Sequence, residues 1–472
     1  MLLSKLFDNY NGEDRDIRSI RTSSKDILPG DLFVCIKGAN VDRHDYIDQA
    51  IAAGAVALVT AKDVDVTVPY IKVEDPNELL YDLYSRFYDY PQNKLTLIGV
   101  TGTDGKTTTT TLIQQLLGQE ICAYIGTNGY SGGGLKGETD NTTPSIDVLL
   151  SLFDQFVKAG CRYVAMEASS EAFYYGRLKG LNFTIGCLTN IDREHLNTHK
   201  TMENYISCKT QLFLQSENAI LNSHDPHFQE VAAKLKAYDT YGYLPSDRLF
   251  IKDYQLKANG TVISYIYQNQ EYTVHSPLLA AFNVENLSAA LLILLKLGLP
   301  FEQAIRNVGQ LDVDGRMQSI DLGQNYYVLV DYAHTPNGLR HLFEFTNKLD
   351  LRRRIVVTGN AGGRDAGKRH DVGYLCATNN DYVIFTMEDP RFEDPLDIIA
   401  DLTADIADLK NYETIVDRAK AIDRAIQMAG PGDLVMILGK GNEDYQLIKD
   451  VYVPFNDIAE AVKAINKYKE EK

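Results

Sequence analysis

The amino-acid sequence predicts an α/β protein built from three domains. At about 150 residues per domain, a chain of 472 residues has room for three of them. Short apolar runs alternate with helical patterns along most of the chain, and this alternation is typical of mostly parallel sheets covered by helices. Hydrophobic residues make up 44% of the chain and charged residues 24%, which excludes a mostly disordered or fibrous protein.

Residues 1–92 are predicted to form a small N-terminal α/β domain. Three short apolar runs begin here at Asp31, Ala55 and Tyr70, and each has the length of a strand. A tyrosine-rich stretch that ends at Pro91 separates this domain from the different pattern that follows.

Residues 93–309 are predicted to form a central domain built on a parallel sheet. The run LTLIGV at 95–100 is continuously apolar, as expected for a strand that is buried on both faces, and a glycine loop and a helical pattern follow it. Further strands are predicted at 162–167, 183–191 and 218–223, a hairpin at 263–276, and a closing helix at 286–298.

Residues 310–472 are predicted to form a C-terminal, Rossmann-like doubly wound domain. Its strands are predicted at 326–332, 354–359, 382–388 and 433–439. The polar segments VDYAH, TGNAGGRD, MEDPR and LGKGNED each lie at the end of one of these strands. Because ligands in such sheets bind beyond the carboxyl ends of the strands, the sequence predicts a ligand site there.

Charge, hydropathy and cysteine usage disfavour several classes of protein. The formal net charge is −17, which disfavours a general nucleic-acid binder because such binding needs a basic surface. No apolar run reaches the ~18 residues that span a bilayer, and the N-terminus lacks the features of a signal peptide. The six cysteines are scattered without a CxxC pair, which indicates reduced thiols. We therefore expect a cytoplasmic monomer without a nucleic-acid partner and without membrane insertion.

A glycine-rich loop between the first strand and the first helix of the central domain predicts nucleotide binding. In such a loop, backbone N–H groups and a helix N-terminus face a phosphate, a lysine adds positive charge, and a hydroxyl reaches Mg²⁺. Val100 stands where the common spacing has a glycine, so this is a variant of the P-loop; the alternative is a plain glycine turn before a helix. The residues of the predicted ATP site are Thr101, Gly102, Thr103, Asp104, Gly105, Lys106, Thr107 and Thr108.

Three further residues of the central domain carry candidate chemistry. Glu167 ends the strand predicted at 162–167, and a carboxylate at a strand end beside a P-loop suits a Mg²⁺ ligand; the alternative is a surface glutamate. His195 follows another strand end among acidic and amide side chains, although a lone histidine is more often structural. From its chemistry alone, Lys209 is predicted to be a solvated lysine on the face of a helix.

The order of motifs along the chain resembles that of the ATP-dependent Mur ligases, and most closely their muramyl-tripeptide synthetase (MurE) branch. The similarity extends over nearly the whole chain. It lies in the segments TGTDGKTTT, NTTP (141–144), MEASSEA, TNIDREHLNTH, YISCKTQLF, FNVEN, DGRMQ, VDYAHTPNGL, GNAGGRDAGKR, DPR and GKGNEDYQ. Several motifs in the same order are far more specific than any single one.

The resemblance implies an ATP- and Mg²⁺-dependent acid–amino-acid ligase of peptidoglycan precursor synthesis. The γ-phosphate of ATP would pass to a carboxylate of UDP-N-acetylmuramoyl-L-alanyl-D-glutamate, and the amine of an amino acid would attack the resulting acyl phosphate. In such a reaction the protein neutralises charge and positions the reactants. The three predicted domains would then bind the UDP substrate, ATP and the amino acid, in that order along the chain.

The resemblance also implies roles for individual residues. Lys106 would contact the terminal phosphates, Thr107 and Glu167 would hold one Mg²⁺, and His195 would hold a second one with a carbamate on Lys209. The implied nucleotide contacts are Asn283, Asn286, Arg316, Asp331 and His334. The implied UDP-substrate contacts are Ser24, Lys25, His44, Thr142, Thr143, Ser169 and Arg177, and the implied amino-acid contacts are Asp389, Arg391, Gly439 and Glu443.

Three positions depart from the family pattern. Lys25 replaces a frequent arginine, Glu171 replaces a frequent histidine, and Asn442 stands in the usual GKGHE motif. The replacement of arginine by Lys25 affects binding of the UDP substrate because an ammonium cannot make the bidentate contacts of a guanidinium.

The amino acid is expected to be basic, with L-lysine favoured over meso-diaminopimelate. Members that add diaminopimelate usually have Asp-Asn-Pro-Arg where this chain has Glu388-Asp389-Pro390-Arg391. Arg391 keeps the arginine that would clamp a carboxylate; it could instead hold the α-carboxylate of the amino acid or pair with Asp389. Asp389 would repel the second carboxylate of diaminopimelate and attract the ε-ammonium of lysine.

Three alternatives remain open at the level of sequence. A folylpolyglutamate synthase shares the implied fold and chemistry, but its family begins with the nucleotide domain. A relative that binds ATP without catalysis is disfavoured because Lys106, Glu167, His195 and Lys209 are all present. A switching P-loop NTPase would hydrolyse ATP without any amino-acid substrate.

Overall fold

The computed structural model describes residues 1–8, 10–37, 41–194, 196–257, 260–312, 315, 317–364 and 366–469. The chain folds into two compact units, which are Met1–Tyr241 with Leu292–Gly298, and Gly242–Leu291 with Leu299–Lys472. The mixed α/β class is confirmed, whereas the domain boundaries at 92/93 and 309/310 stay a prediction. Among the described helices, none is long and apolar enough to span a membrane.

Unit 1 begins with a four-stranded parallel sheet in the order β1-β2-β3-β4. Its strands are β1 (Ser19–Arg21), β2 (Asp31–Val34), β3 (Ala57–Thr60) and β4 (Tyr70–Lys72), and its helices are α1 (Leu3–Leu6), α2 (Ile47–Ala53) and α3 (Pro76–Phe87). Strands β2 and β3 are buried at every position, which explains their short continuous apolar runs. Helix α3 starts at Pro76 because the Asp75 side chain accepts the N–H of Asn77 and proline suits the first helical position.

The larger sheet of unit 1 carries the predicted glycine loop. Its strands are β5 (Thr96–Thr101), β6 (Cys122–Gly126), β7 (Gly129–Gly132), β8 (Leu135–Gly137), β9 (Tyr163–Glu167), β10 (Phe183–Leu188), β11 (Ser216–Asn222) and β12 (Asp239–Gly242). Its helices are α4 (Lys106–Leu117), α5 (Ile146–Lys158), α6 (Ser170–Tyr174), α7 (Leu196–His199), α8 (Met202–Leu214) and α9 (Phe228–Ala232). The strand order is β12-β11-β10-β5-β9-β6-β7-β8, and all pairs are parallel except β6–β7 and β7–β8.

Unit 2 contains an antiparallel meander followed by a doubly wound sheet. The meander consists of β13 (Leu249–Lys257), β14 (Gly260–Tyr267) and β15 (Gln270–Ser276). Its second turn has Gln268 and Asn269 at φ of 50° and 63°, the left-handed backbone of a tight hairpin turn. Helices α10 (Ala281–Lys296) and α11 (Phe301–Ala304) follow along the chain; residues 281–291 of α10 belong to unit 2 and residues 292–296 to unit 1.

The doubly wound sheet has the strand order β16-β17-β21-β18-β19-β20, and only the β16–β17 pair is antiparallel. Its strands are β16 (Gln318–Ser319), β17 (Tyr327–Asp331), β18 (Arg353–Thr358), β19 (Tyr382–Phe385), β20 (Tyr412–Thr414) and β21 (Asp433–Leu438). The helices are α12 (Pro336–Thr346), α13 (Arg369–Asn379), α14 (Pro395–Thr403), α15 (Arg418–Met428) and α16 (Asp457–Lys469), and a hairpin of β22 (Tyr445–Ile448) and β23 (Val451–Pro454) lies between β21 and α16.

Both faces of this sheet are covered, as the continuous apolar runs predict. On β18, Val356 packs into one hydrophobic cluster with residues of α12, α13 and α14. Its neighbour Ile355 packs into the opposite cluster with residues of α15 and α16. Successive strand residues point to opposite faces, so a strand between two helical layers is apolar throughout.

Most predicted strands are confirmed, and several other strands were missed. The predicted segments at 95–100, 162–167, 183–191 and 218–223 correspond to β5, β9, β10 and β11. The sequence did not reveal β1, β6–β8, β12, β13, β16, β20 or the β22–β23 hairpin. Several of these are short, glycine-rich or partly exposed, whereas β13 spans nine residues and β6 is buried throughout. All six cysteines are free thiols, as expected.

One steric constraint within unit 2 can be tested directly. A Cβ on Gly373 of α13 would lie 1.6 Å from the Leu402 carbonyl oxygen of α14, so Gly373→Ala should force the two helices apart. We expect a loss of about 2 kcal/mol or more in the free energy of unfolding, measured in urea. In the control Gly309→Ala, no atom of the described residues lies within 4 Å of the added Cβ, so this substitution should change stability little. Equal effects of the two substitutions would contradict this packing.

Candidate functional site

The glycine loop of unit 1 is held in place by the segment that follows β10. Gly102 lies so close to Thr189 that a Cβ would be 1.8 Å from the threonine Oγ1. The Thr189 hydroxyl donates to the Asp104 carbonyl over 2.6 Å, and the Asn190 side chain both accepts from the Asp104 N–H and donates to its carbonyl. Thr103 Oγ1 accepts the N–H of Asp192. Hydrogen bonds of this density fix the loop backbone before any ligand binds.

Lys106 is the first residue of α4, directly after Gly105 in left-handed conformation (φ 79°). Its ammonium donates to the carbonyls of Gly102 and Thr103, both at 2.8 Å. The positive charge therefore lies over the loop at the end of a helix whose first N–H groups have no partner within the helix. Backbone N–H groups, the helix dipole and an ammonium together form an anion site.

Glu167 ends the strand that pairs with β5, and its side chain is fully buried. Parallel pairing puts Glu167 opposite Val100, one residue before the loop strand ends. Its Oε1 accepts the Tyr124 hydroxyl at 2.8 Å and the Thr127 N–H at 2.9 Å, whereas Oε2 receives one long bond of 3.2 Å from the Thr127 hydroxyl. These donors stabilise a buried carboxylate, and the Oε2 oxygen keeps capacity for a further partner.

Four residues that the sequence assigned to the UDP substrate gather around the carboxyl end of β9. Thr143 Oγ1 donates to the Glu167 carbonyl at 2.8 Å and accepts the Ser169 N–H at 3.0 Å. Arg177 Nη1 donates to the Thr143 carbonyl at 3.3 Å, and the Thr142 hydroxyl lies 3.2 Å from that of Thr127. The structure therefore brings Thr142, Thr143, Ser169 and Arg177 together beside Glu167.

Lys209 is buried in α8 and is not the solvated residue that its chemistry alone indicated. Only 1% of it is exposed, and its Nζ lies 4.5 Å from the ring centroid of Tyr205. Burial lowers the pKa of Lys209 well below its ordinary value, and the Lys106 ammonium lowers this pKa further. Three carboxylates oppose this effect: Glu194, Asp104 and Asp225. A lowered pKa means that the amine is neutral at a pH where an exposed lysine is charged.

Two of the predicted site residues, His195 and Arg316, lie outside the described part of the chain. Within the described part, no three His, Cys, Asp or Glu side chains converge as a ready metal site. In unit 2, Asn283 and Asn286 are buried in the first two turns of α10, where Asn286 Nδ2 donates to Asn283 Oδ1 at 3.0 Å. Asn283 Nδ2 donates to the Leu279 carbonyl at 2.8 Å.

Asp331 and His334 lie at the carboxyl end of β17, as the VDYAH motif predicts. The Asp331 carboxylate accepts the N–H of Met317 at 2.6 Å and that of Ala333 at 2.8 Å. His334 Nδ1 donates to the Tyr332 carbonyl at 2.8 Å. Asp331 therefore ties the strand end to the segment around Met317, so it organises backbone as well as adding charge.

The candidates of the first sheet are engaged in local contacts. The buried Ser24 hydroxyl donates to Gln49 Oε1 at 3.1 Å. His44 Nδ1 bonds Asp42, and His44 Nε2 accepts the Ala61 N–H at 2.9 Å. This acceptor role requires a neutral ring with the proton on Nδ1. Lys25 is exposed. These bonds occupy both nitrogens of His44 within its own domain.

Two of the amino-acid candidates of unit 2, Asp389 and Glu443, meet in one charged cluster at the carboxyl edge of the doubly wound sheet. Lys440 is fully buried, and its Nζ donates to Asp389 Oδ1 at 2.8 Å and to Glu443 Oε2 at 2.6 Å. Asp389 Oδ1 also accepts the Leu447 N–H at 3.0 Å. The Asp389 carboxylate is therefore already paired, which removes the premise on which the sequence favoured L-lysine.

Arg391 and Gly439 adopt backbone conformations that fix the same edge. Arg391 has φ of 52°, and its N–H and carbonyl bond Leu447 and Lys449 of the β22–β23 hairpin. Its buried Nε has no partner within the described residues. Gly439 has φ of 114° and donates its N–H to the Asp331 carbonyl at 3.0 Å, which joins this loop to the end of β17.

The sequence did not identify the residues that hold these groups in place. Tyr124 on β6 and Lys440 were not singled out, and neither was the fully buried ion pair between Arg418 and Asp457. Lys440 and Glu443 are three residues apart, and this spacing could have indicated that they form an ion pair. Nothing local indicated that Asp389, which is 51 residues away from Lys440, would be its second partner.

Three family models match consecutive parts of the chain. Residues 16–88 match the Mur ligase family, catalytic domain; residues 100–294 match the Mur ligase middle domain; and residues 315–441 match the Mur ligase, glutamate ligase domain. Together they follow the order of the motifs in the sequence.

Known proteins resemble the chain over nearly its full length. The UDP-N-acetylmuramoyl-L-alanyl-D-glutamate–2,6-diaminopimelate ligase of Geobacillus kaustophilus is 36% identical over 480 residues, which cover 98% of each chain. A solved structure of a ligase with the same name superposes with a TM-score of 0.72 at 30% identity, over 96% of this chain and 95% of the other. The MurF ligase of Thermotoga maritima in complex with ADP has a TM-score of 0.65 at 19% identity, over 96% and 98%, which is a likeness of fold.

The charged cluster of unit 2 generates a stability prediction. Lys440→Met would leave the Asp389 and Glu443 carboxylates without their common cation, so we expect a loss of about 3–5 kcal/mol in the free energy of unfolding. The control Lys463→Met removes an exposed pair with Glu460 and should leave the urea midpoint nearly unchanged. Adding Asp389→Asn to Lys440→Met should restore part of the loss. If the double variant is no more stable than the single one, the pairing is not the cause.

Proposed function

The chain belongs to the Mur ligase family and is an ATP-dependent ligase, and we propose that it joins meso-diaminopimelate to UDP-N-acetylmuramoyl-L-alanyl-D-glutamate in peptidoglycan synthesis. The observation that carries the proposal is the position of Lys106 and Glu167. Glu167 ends β9, and the loop that leads to Lys106 follows β5, the parallel neighbour of β9, so an anion site and a buried carboxylate lie at the same edge of the sheet. Such an edge suits transfer of a phosphoryl group.

In this proposal ATP binds with its phosphates on the loop from Thr101 to Thr108. The N–H groups at the start of α4 and the Lys106 ammonium stabilise the negative charge of the phosphates. The γ-phosphoryl group passes to the D-glutamyl carboxylate, which becomes an acyl phosphate. The neutral amine of the incoming amino acid attacks its carbonyl carbon, phosphate leaves, and an amide bond forms.

The residues present fit Mg²⁺, which prefers oxygen ligands. The Thr107 hydroxyl and the Glu167 carboxylate would hold it, and Oε2 of Glu167 receives only one long hydrogen bond from the residues that the structure describes. When bound, Mg²⁺ would screen the charge of the phosphates. His195 would serve a second ion together with a modified Lys209.

We propose that Lys209 is carbamylated. Its neutral amine attacks CO₂, a C–N bond forms, and one proton is released to give a carbamate. Burial and the nearby Lys106 ammonium both disfavour the charged amine, so they favour the form that reacts. The product carries a negative charge, which the nearby Lys106 ammonium attracts, whereas the same ammonium repels a protonated Lys209.

The proposed substrate contacts follow the two sheets of unit 1. Thr142, Thr143, Ser169 and Arg177 line the carboxyl end of β9 and would face the sugar-peptide part of the UDP substrate. Ser24, Lys25 and His44 would lie near the uridine diphosphate, with Lys25 as the exposed cation and His44 holding its loop through Asp42 and Ala61. Asn283, Asn286, Arg316, Asp331 and His334 would serve the nucleotide.

Two observations favour meso-diaminopimelate over L-lysine. Relatives that share 34–38% identity with this chain are named as 2,6-diaminopimelate ligases. In addition, Asp389 is already paired with Lys440 and accepts the Leu447 N–H, whereas the buried Nε of Arg391 has no partner in the described residues. An arginine with an open donor suits a second carboxylate.

The alternatives are less well supported. A folylpolyglutamate synthase would not account for the match of residues 16–88 to a Mur ligase model. A relative without catalysis would not need a buried lysine with a lowered pKa beside the phosphate loop. A plain NTPase would not need the charged cluster at the edge of unit 2.

The function can be tested by phosphate release from ATP. With Mg²⁺, the UDP dipeptide and meso-diaminopimelate present, release should be fast, and omission of the dipeptide or of the amino acid should reduce it to background. Lys106→Ala should lower the rate by about 10²-fold or more because it removes charge from the phosphate site. The exposed Lys158→Ala on α5 should not. Release without dipeptide would support a plain NTPase, and faster release with L-lysine would contradict the proposed amino acid.

The carbamate can be tested separately. Lys209→Ala should lose ligation and regain part of it when a short-chain carboxylate such as acetate is added, because the free acid replaces the missing carbamate. The control Lys106→Ala should not respond to acetate. Wild-type activity should fall when CO₂ and bicarbonate are removed and return when they are restored. Full activity of the wild type in CO₂-free buffer would refute the modification.

A further inference from the structure

Tyr124 on β6 carries a hydroxyl that reaches the buried Glu167 carboxylate on the neighbouring strand. Parallel pairing puts Tyr124 opposite Ala165 of β9. Because side chains alternate between the two faces of a strand, Glu167, two residues beyond Ala165, lies on the same face of the sheet as Tyr124. The tyrosine is 4% exposed, and its hydroxyl donates to Glu167 Oε1 at 2.8 Å. A long aromatic side chain on one strand thus holds a carboxylate at the end of the next strand.

Gly126 leaves the space in which this hydrogen bond forms. It lies two residues after Tyr124, at the end of β6, and therefore on the same face. A Cβ at this position would overlap with both Glu167 Oε1 and the Tyr124 hydroxyl oxygen. Any residue larger than glycine would push the two groups apart. The carboxylate can lean across β6 towards the tyrosine because this one side chain is missing.

The turn between β6 and β7 fixes the direction of the bond. The Asn128 N–H donates to the Tyr124 hydroxyl oxygen at 3.2 Å, and an ionised carboxylate can only accept, so the phenol proton points to Glu167. The Thr127 N–H donates to the same Oε1 at 2.9 Å. Two donors therefore hold Oε1, whereas Oε2 receives one bond of 3.2 Å, from the Thr127 hydroxyl, among the residues with described positions.

We propose that Tyr124 is a positioning residue, which fixes the rotation of the Glu167 carboxylate so that Oε2 is the oxygen offered to the cation that accompanies ATP. The inference rests on the proposed function and deepens it, because Glu167 is proposed there as a ligand of Mg²⁺. A carboxylate whose Oε1 accepts two hydrogen bonds cannot turn about its Cγ–Cδ bond without breaking both. Loss of a group that orients a metal ligand typically weakens metal binding by about 10–100-fold.

A purely structural hydrogen bond would have different consequences. It would stabilise the buried carboxylate, and its loss would loosen the strand ends and disturb binding of the phosphates together with binding of the cation. A positioning role predicts that only the cation is affected, because the phosphates are proposed to bind at Lys106 and the start of α4. Binding of the nucleotide without any metal therefore separates the two roles.

The test measures binding of Mn²⁺ to the full-length protein with a non-hydrolysable ATP analogue bound, and unbound Mn²⁺ is counted by electron paramagnetic resonance. Mn²⁺ prefers the same oxygen ligands as Mg²⁺. Tyr124→Phe keeps the ring and removes the hydroxyl, so the Kd of Mn²⁺ should rise about tenfold. In EDTA, the analogue should bind to this variant as it does to the wild type. Gly126→Ala, whose methyl group separates the same two groups, should also raise the Kd of Mn²⁺.

Two controls accompany these variants. Tyr84→Phe removes another buried hydroxyl, which donates to the Ile20 carbonyl at 3.1 Å, and should leave the Kd of Mn²⁺ unchanged. A double-mutant cycle shows whether the Tyr124 hydroxyl acts through Glu167. Glu167→Gln should weaken Mn²⁺ binding by itself, and adding Tyr124→Phe to it should weaken binding no further.

A Tyr124→Phe protein that binds Mn²⁺ like the wild type overturns the proposal; should this variant not fold, the same result with Gly126→Ala overturns it. Weaker binding of the analogue in EDTA also overturns it, since the hydroxyl would then support the site as a whole, and so does a further loss of Mn²⁺ binding in the double variant. If Glu167→Gln itself binds Mn²⁺ normally, the proposed metal role of Glu167 has failed. If only Tyr124→Phe and Gly126→Ala bind normally, that role stands and the positioning role has failed.

Discussion

The parallel pairing of β5 with β9 and β10 is the constraint on which the candidate site depends. It puts Val100 opposite Glu167, and Thr101 opposite Leu188. The phosphate loop, the buried carboxylate and the 189–192 segment that braces the loop therefore leave the sheet side by side. A slip of one residue would turn Glu167 to the other face of its strand, away from the hydroxyl and N–H donors that stabilise it. Continuous burial of these strands makes the register specific.

Hydrogen bonds and ion pairs stabilise the buried polar side chains of the two sites. Glu167 is tolerated because Tyr124 and Thr127 donate to it, and Asp389 because Lys440 does. At Lys209 the nearby carboxylates do not offset burial and the Lys106 ammonium, so the pKa of its amine is lowered. This lowered pKa distinguishes Lys209 from an exposed lysine. Buried charges that lose a partner are costly, so these contacts restrict which substitutions the two sites accept.

Much of the fold was predictable, and the site only in part. The alternation of apolar runs and helical patterns predicted the central strands because those strands are buried on both faces. Strands β7 and β8 were not predicted because they are short and rich in glycine. Motif resemblance located Glu167 and Asp389, but their partners Tyr124 and Lys440 lie 43 and 51 residues away. The prediction of a solvated Lys209 was wrong because the side chain is buried, and burial becomes visible only in the fold. The inference of L-lysine from Asp389 lost its premise because Lys440, which is 51 residues away in the sequence, already pairs with that carboxylate.

Activation of a carboxylate by phosphoryl transfer on this loop is the central claim, and an oxygen-labelling experiment tests it most directly. The D-glutamyl carboxylate of the UDP dipeptide is labelled with heavy oxygen, and the phosphate released during ligation is analysed by mass spectrometry. If an acyl phosphate forms and is displaced by the amine, one labelled oxygen moves from the dipeptide into each phosphate. If the phosphate is unlabelled while product accumulates, the carboxylate was never phosphorylated, and the mechanism drawn from this site is wrong.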